Sequence, residues 1–165
     1  MTIGDAFEDQ FSDKSYGFRE GRNCQQAVQR AQKYIEDENR WVVEMDLSKF
    51  FDRVNHDILM DRVSRVIDDK AILKLIRRYL NAGIMEDGLV SPKLEGVPQG
   101  SPLSPLLSNI MLTDLDRELE TRGLSHVRYA DDCNIYVKSE KAAQRVLTNI
   151  TKYVEETLKL RVNRD

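Results

Sequence analysis

Apolar residues recur along this chain at two spacings, three to four residues and two, and the switches between them lay out an α+β order. Asn23 stands before the first helical pattern as a cap, with Gln26 placed to reach back, and Ala27, Val28, Ala31, Tyr34 and Ile35 form the predicted apolar stripe. The stretch 41–47, Trp-Val-Val-Glu-Met-Asp-Leu, is short, β-branched and aromatic, and reads as a buried strand that ends on Asp46. Two helices are predicted over 57–67 and 69–81, the second stopped by Gly83 at the position a helix C-cap favours. Asp87-Gly88 then signals a tight hairpin. The run 96–105 holds three prolines and two glycines, a stiff shaped loop from which Pro105 opens a long helix to Arg122. Gly123 closes that helix, and 126–129 with 133–137 reads as a second hairpin whose Cys133, Ile135 and Val137 share one face. Ser139 caps a last helix that turns Ala142, Ala143, Val146, Ile150, Val154 and Leu158 inward.

Composition narrows the class without naming a function. With 165 residues, 41% hydrophobic and 32% charged, the chain has the makeup of one ordinary globular domain, and no internal repeat or linker divides it. No apolar run approaches the length of a membrane span, and the start Met1-Thr2-Ile3-Gly4-Asp5 has no basic region followed by an apolar stretch, so neither membrane insertion nor a signal peptide is expected. Two distant cysteines, Cys24 and Cys133, make no disulfide framework, and a cytoplasmic location fits best. The net charge of −3 argues against gripping nucleic acid by charge alone, although Arg19 with Arg22, and Arg77 with Arg78, form local basic clusters. His56, His126, Met45, Met60 and Met111 read as structural.

The chemistry concentrates in acids. Asp131 and Asp132 are adjacent anions at the tip of the second hairpin, a placement that a tight turn explains blandly and a divalent cation explains more sharply. Asp46 ends a strand, and if that strand neighbours the hairpin in one sheet, the carboxylates converge. Such a set without nearby His or Cys suits magnesium or manganese rather than zinc. Two ions about 4 Å apart could clamp both oxygens of a phosphoryl transfer. A glycosidase pair would need one carboxyl of raised pKa, which adjacent sequence positions arrange poorly.

Four blocks then point to a family. Tyr16-Gly17-Phe18-Arg19-x-Gly21-Arg22, 46–52 (Asp-Leu-Ser-Lys-Phe-Phe-Asp), 96–109 (Gly-Val-Pro-Gln-Gly-Ser-Pro-Leu-Ser-Pro-Leu-Leu-x-Asn) and Tyr129-Ala130-Asp131-Asp132 resemble reverse transcriptases in order and spacing, above all the group II intron-encoded type, also called maturases. The resemblance covers nearly the whole chain. It implies an α+β polymerase palm, a small antiparallel sheet packed against helices, with a partial helical fingers region. One reverse transcriptase domain is expected over 1–165, with partial fingers to about residue 40 and palm beyond, and without the N-terminal fingers strands, thumb or later domains.

Residue by residue, the resemblance makes Asp46, Asp131 and Asp132 the catalytic acids and, with the Leu47 carbonyl, the ligands of two magnesium ions, which manganese could replace. Lys49, Phe50, Phe51, Gln99 and Gly100 are expected to bind the deoxynucleotide, Phe51 as the gate against a 2′-hydroxyl and Gln99 against the incoming sugar. Arg19, Arg22 and Tyr129 fall where template and primer pass. The implied activity is RNA-directed DNA synthesis on an intron RNA template from a DNA or RNA primer, with help to intron splicing. The rivals are a non-catalytic RNA-binding maturase scaffold or inactive remnant of the same fold, and a self-associating fragment that forms a homodimer.

Overall fold

The computed structural model describes residues 2–47, 54–82, 84–86, 89–91 and 103–160. Its elements run α1 (Ile3–Glu8), α2 (Cys24–Glu36), β1 (Trp41–Asp46), α3 (His56–Ser64), α4 (Lys70–Asn81), β2 (Ile84–Glu86), β3 (Leu89–Ser91), α5 (Leu103–Thr121), β4 (Ser125–Tyr129), β5 (Asp132–Val137) and α6 (Glu140–Glu156).

Local signals set most helix boundaries. Asn23 and Gln26 form the expected reciprocal cap of α2, and the side chains of Asn55, Asp69 and Ser139 accept backbone N–H bonds at the starts of α3, α4 and α6. Each such cap is worth about 1 kcal/mol. Gly123, at φ 69°, stops the chain after α5 in the left-handed conformation that glycine favours. Two expectations need correction, and one helix was not expected at all. α3 ends at Ser64 rather than near 67. α1 is too short for periodicity to reveal it, and it is fixed by a Thr2–Asp5 capping box and the buried Phe7. On α2, Val28 and Ile35 lie outside the packed face, because the sheet covers only the narrower strip of Ala27, Ala31 and Tyr34. The expectations for Gly83, for the Asp87-Gly88 turn and for most of the 96–105 loop fall outside the described residues; β2 and β3 pair antiparallel, Glu86 opposite Leu89.

β1, β5 and β4 form an antiparallel sheet in that order. Period-two alternation divides its residues between two faces. Val43, Met45, Cys133, Ile135 and Val137 face the main core, against Leu107, Met111 and Leu115 of α5 and Val146, Ile150 and Val154 of α6. Among the described residues the other face is covered at the end of β4 and β5 away from the hairpin tip, where Tyr16 and α2 pack on Val127 and Tyr136. Along β1 that face is open: Val42, Glu44 and Asp46 are exposed. Beyond β4, the segment around Ser15 adds a short parallel bridge to Arg128, with the Tyr16 N–H donating to the Arg128 carbonyl at 2.9 Å and the Arg128 N–H to that of Lys14 at 2.9 Å. That bridge caps the exposed sheet edge.

Candidate active site

Register brings the acids together. Asp46 is the direct partner of Asp132 across β1 and β5, at the end of the open face. Tyr129 and Asp132 close the β4–β5 hairpin as a pair, which leaves Ala130 and Asp131 as its two-residue loop. Ala130 takes φ 57°, a left-handed conformation that costs an alanine about 1–2 kcal/mol.

Burial raises the Asp131 carboxyl above the ordinary aspartate range, and the negative charges of Asp132 and Asp46 push the same way. Mutual repulsion of this kind is what a bound cation relieves. The donors are all hard oxygens, the set that magnesium and manganese take from proteins. Among the described residues no three His, Cys, Asp or Glu side chains are gathered at metal-ligand spacing, so the fit rests on donor chemistry and register. Leu47 follows Asp46 with its side chain fully buried. Lys49, Phe50, Phe51, Gln99 and Gly100 lie outside the described residues.

The arginines of the Tyr16 block differ in their surroundings. Arg19 is turned inward: its Nε and Nη2 donate to Glu8 Oε1 at 2.9 and 2.7 Å, and its Nη1 donates to the Ser12 and Ser15 carbonyls at 2.7 and 2.8 Å. Arg22 lies nearer the surface, over the Tyr16 ring, with Nη1 donating to the Asp13 carbonyl at 2.7 Å. Tyr129 is 38% exposed beside Asp132, and its ring meets that of Phe18, 61% exposed, at 6.4 Å between centroids. Phe18 itself sits at φ 53°, an uncommon conformation for a bulky residue.

Beneath the acids lies a buried polar cluster to which sequence reasoning gave no role. Arg128 is fully buried and paired with Asp116 of α5, Nε to Oδ1 at 2.9 Å and Nη2 to Oδ2 at 2.9 Å. Burial alone would raise the Asp116 carboxyl, but Arg128, with the nearby His126, outweighs it and holds the group below the ordinary range. His126 Nε2 lies 3.3 Å from Asp116 Oδ1 but makes no hydrogen bond in this geometry. Asn109 and Asp116 stand seven residues apart, two turns along one face of a helix whose neighbouring positions are apolar. That spacing was the available signal. The neighbouring Cys133 is inert, its thiol pushed up to about 12 by burial.

Known proteins agree with this architecture. The reverse transcriptase (RNA-dependent DNA polymerase) family matches over residues 2–165. Protein YkfC of Escherichia coli is 34% identical over an alignment that covers 100% of this chain and 53% of that protein. The group II intron-encoded protein LtrA of Lactococcus lactis is 37% identical across 71% of this chain and 19% of its own length. The chain thus spans about half or less of these relatives. Among solved structures, telomerase from Candida albicans, in complex with a fragment of telomeric RNA, superposes on 99% of this chain with a TM-score of 0.70 at 15% identity, a likeness of fold. No described helix is long and apolar enough to cross a membrane. With a palm-like sheet carrying the acids at its open end and a family match along its length, the chain belongs to the reverse transcriptase (RNA-dependent DNA polymerase) family and is similar, over part of their length, to group II intron-encoded proteins.

Proposed function

We propose that this chain extends a primer with deoxynucleotides on an RNA template, using Asp46, Asp131 and Asp132 to hold two magnesium ions. The observation that carries this reading is the register pairing of Asp46 with Asp132 on the open face, with Asp131 on the adjoining loop. When bound, the ions neutralise charge on the transferring phosphoryl group and favour ionisation of the primer hydroxyl.

The chain's own residues then have positional tasks. Asp131, on the two-residue hairpin loop, Asp132, at the start of the central strand β5, and Asp46, at the end of the paired strand β1, present oxygens that need little rearrangement. The exposed Tyr129 ring lies against the primer end, and Arg22 faces template phosphate. Arg19, turned inward, acts instead by holding the loop on α1. Lys49, Phe50, Phe51, Gln99 and Gly100 form the nucleotide pocket, with Phe51 excluding the 2′-hydroxyl; the family resemblance supports these assignments. Leu47 adds its carbonyl to the ion ligands. Splicing assistance to an intron RNA follows from the same kinship.

Primer extension on an RNA template with magnesium tests the reading. Extension by the wild-type chain that disappears in Asp131→Ala supports it. Binding of the hybrid without any extension favours the RNA-binding scaffold, and extension that survives Asp131→Ala removes the assigned acids from the chemistry.

A further inference from the structure

We propose that Arg128 is a positioning residue: through the Ala130 carbonyl it holds the Asp131–Asp132 tip in the shape in which its carboxylates can share a cation. This rests on the metal-binding reading of Asp46, Asp131 and Asp132.

Arg128 lies one residue before Tyr129, and strand alternation sends its side chain away from the open face and into the main core, opposite Cys133. A guanidinium with no solvent exposure must have its charge compensated and its donors used. Asp116 supplies the compensation through a two-oxygen contact. Charge balance would be complete at that point, yet the fork continues. Nη2 also donates to Ser15 Oγ at 2.9 Å, while Nη1 donates to Asn109 Oδ1 at 3.1 Å and to the Ala130 carbonyl at 2.7 Å. Ala130 is the loop residue in the left-handed conformation, so this bond lands where the hairpin is least stable by itself.

A second clamp meets the first at Asn109. Its Nδ2 donates to the Gly17 carbonyl at 2.9 Å while its Oδ1 receives Arg128. Gly17 in turn abuts the hairpin so closely that an added Cβ would stand 2.5 Å from the Ala130 nitrogen. The loop that carries Asp131 is therefore held from beneath by Arg128 and from the side by Gly17, through one shared amide. Only a planar fork reaches Asp116, Ser15, Asn109 and Ala130 together; a lysine brings a point charge and a single reach.

A purely structural ion pair and a positioning residue respond differently to substitution. A buried pair can be replaced by apolar groups without loss of stability. The double variant Arg128→Met/Asp116→Leu therefore keeps the core but leaves the Ala130 carbonyl without its donor. Two readouts on the full chain separate the cases: amide hydrogen exchange at 130–132 in metal-free protein, and Mn2+ affinity. The expected result is a variant that still unfolds cooperatively, with tip amides that exchange at least about tenfold faster and Mn2+ affinity weakened about 10–100-fold, as for other residues that orient metal ligands. Tip exchange and Mn2+ affinity both within twofold of wild type would overturn the proposal. Should the double variant fail to fold, Arg128→Lys decides by the same two readouts, and wild-type values there would also overturn it. Wild-type chain that binds no Mn2+, or Asp131→Asn that binds it as tightly as wild type, would instead overturn the metal reading on which this one stands.

Discussion

Asp46→Asn should make the metal-free protein more stable while disabling it. Asp46 and Asp132 face each other across β1 and β5, and side chains in such pairs stand about 4.5–5.5 Å apart at Cβ. Two unit charges at about 5 Å repel by roughly 0.8 kcal/mol in water and by more at lower dielectric. Both side chains are exposed, so the lower figure applies, in line with the roughly 0.2–1 kcal/mol scale of cross-strand charge pairs. Asp131 adds a smaller share, because its carboxyl also carries the field of Asp46. The variant should gain about 0.5–1 kcal/mol, about 1–4 °C in Tm for a domain of this size. Thermal unfolding in low salt with chelator measures it. Molar salt should shrink the gain, because the Debye length falls to about 3 Å. Millimolar magnesium should reverse its sign by stabilising the wild type alone. A variant that is destabilised in chelator, or whose gain is the same with magnesium, would refute the reasoning.

Other consequences follow from the same geometry. Gly17→Ala forces a Cβ into the Ala130 backbone and should cost about 1–3 kcal/mol in urea unfolding, with the damage reported by amides of the hairpin tip. Arg19→Ala breaks the contacts to Glu8, Ser12 and Ser15 and should lower stability by about 1.5–3 kcal/mol. Arg22→Ala should instead reduce the salt slope of RNA binding by about 1. Carboxyl NMR should show Asp131 titrating above ordinary aspartates, and lower in Asp132→Asn. Because the folded chain holds that proton more tightly than the unfolded chain, stability falls as pH rises from the ordinary value through the raised one, and Asp131→Asn removes that slope. Asp116 works in the opposite direction: its contribution is full above the ordinary aspartate value and is lost as pH falls through its depressed pKa.

What sequence reveals here is what short-range physics decides. The Asn23–Gln26 cap, the Ser139 cap and the β4–β5 hairpin depend on residues within a few positions of each other, and all are found as expected. The pairing of β1 with β5 is long-range and stood in the sequence only as a condition, under which Asp46 would converge with Asp131 and Asp132; the register meets that condition for Asp46 and Asp132. The exposure of Val28 and Ile35 was not legible, since periodicity gives the width of an apolar stripe and not the width of the surface that covers it. Nor was the Arg128–Asp116 pair. A charged residue at an inward strand position looks unfavourable until its partner on another element is known, and Asn109 and Asp116 only acquire meaning once α5 lies under β4.

The proposed function makes Asp46, Asp131 and Asp132 one catalytic centre for RNA-templated DNA synthesis. Single-turnover incorporation of one deoxynucleotide into a primer on an RNA template, with magnesium, tests it most directly when the wild type is compared with Asp46→Asn. The expected rate is at least about 10²–10³-fold lower in the variant, the scale for losing one preorganised electrostatic contact, in a protein that is more stable without metal. Incorporation by Asp46→Asn within a few-fold of the wild-type rate would contradict it.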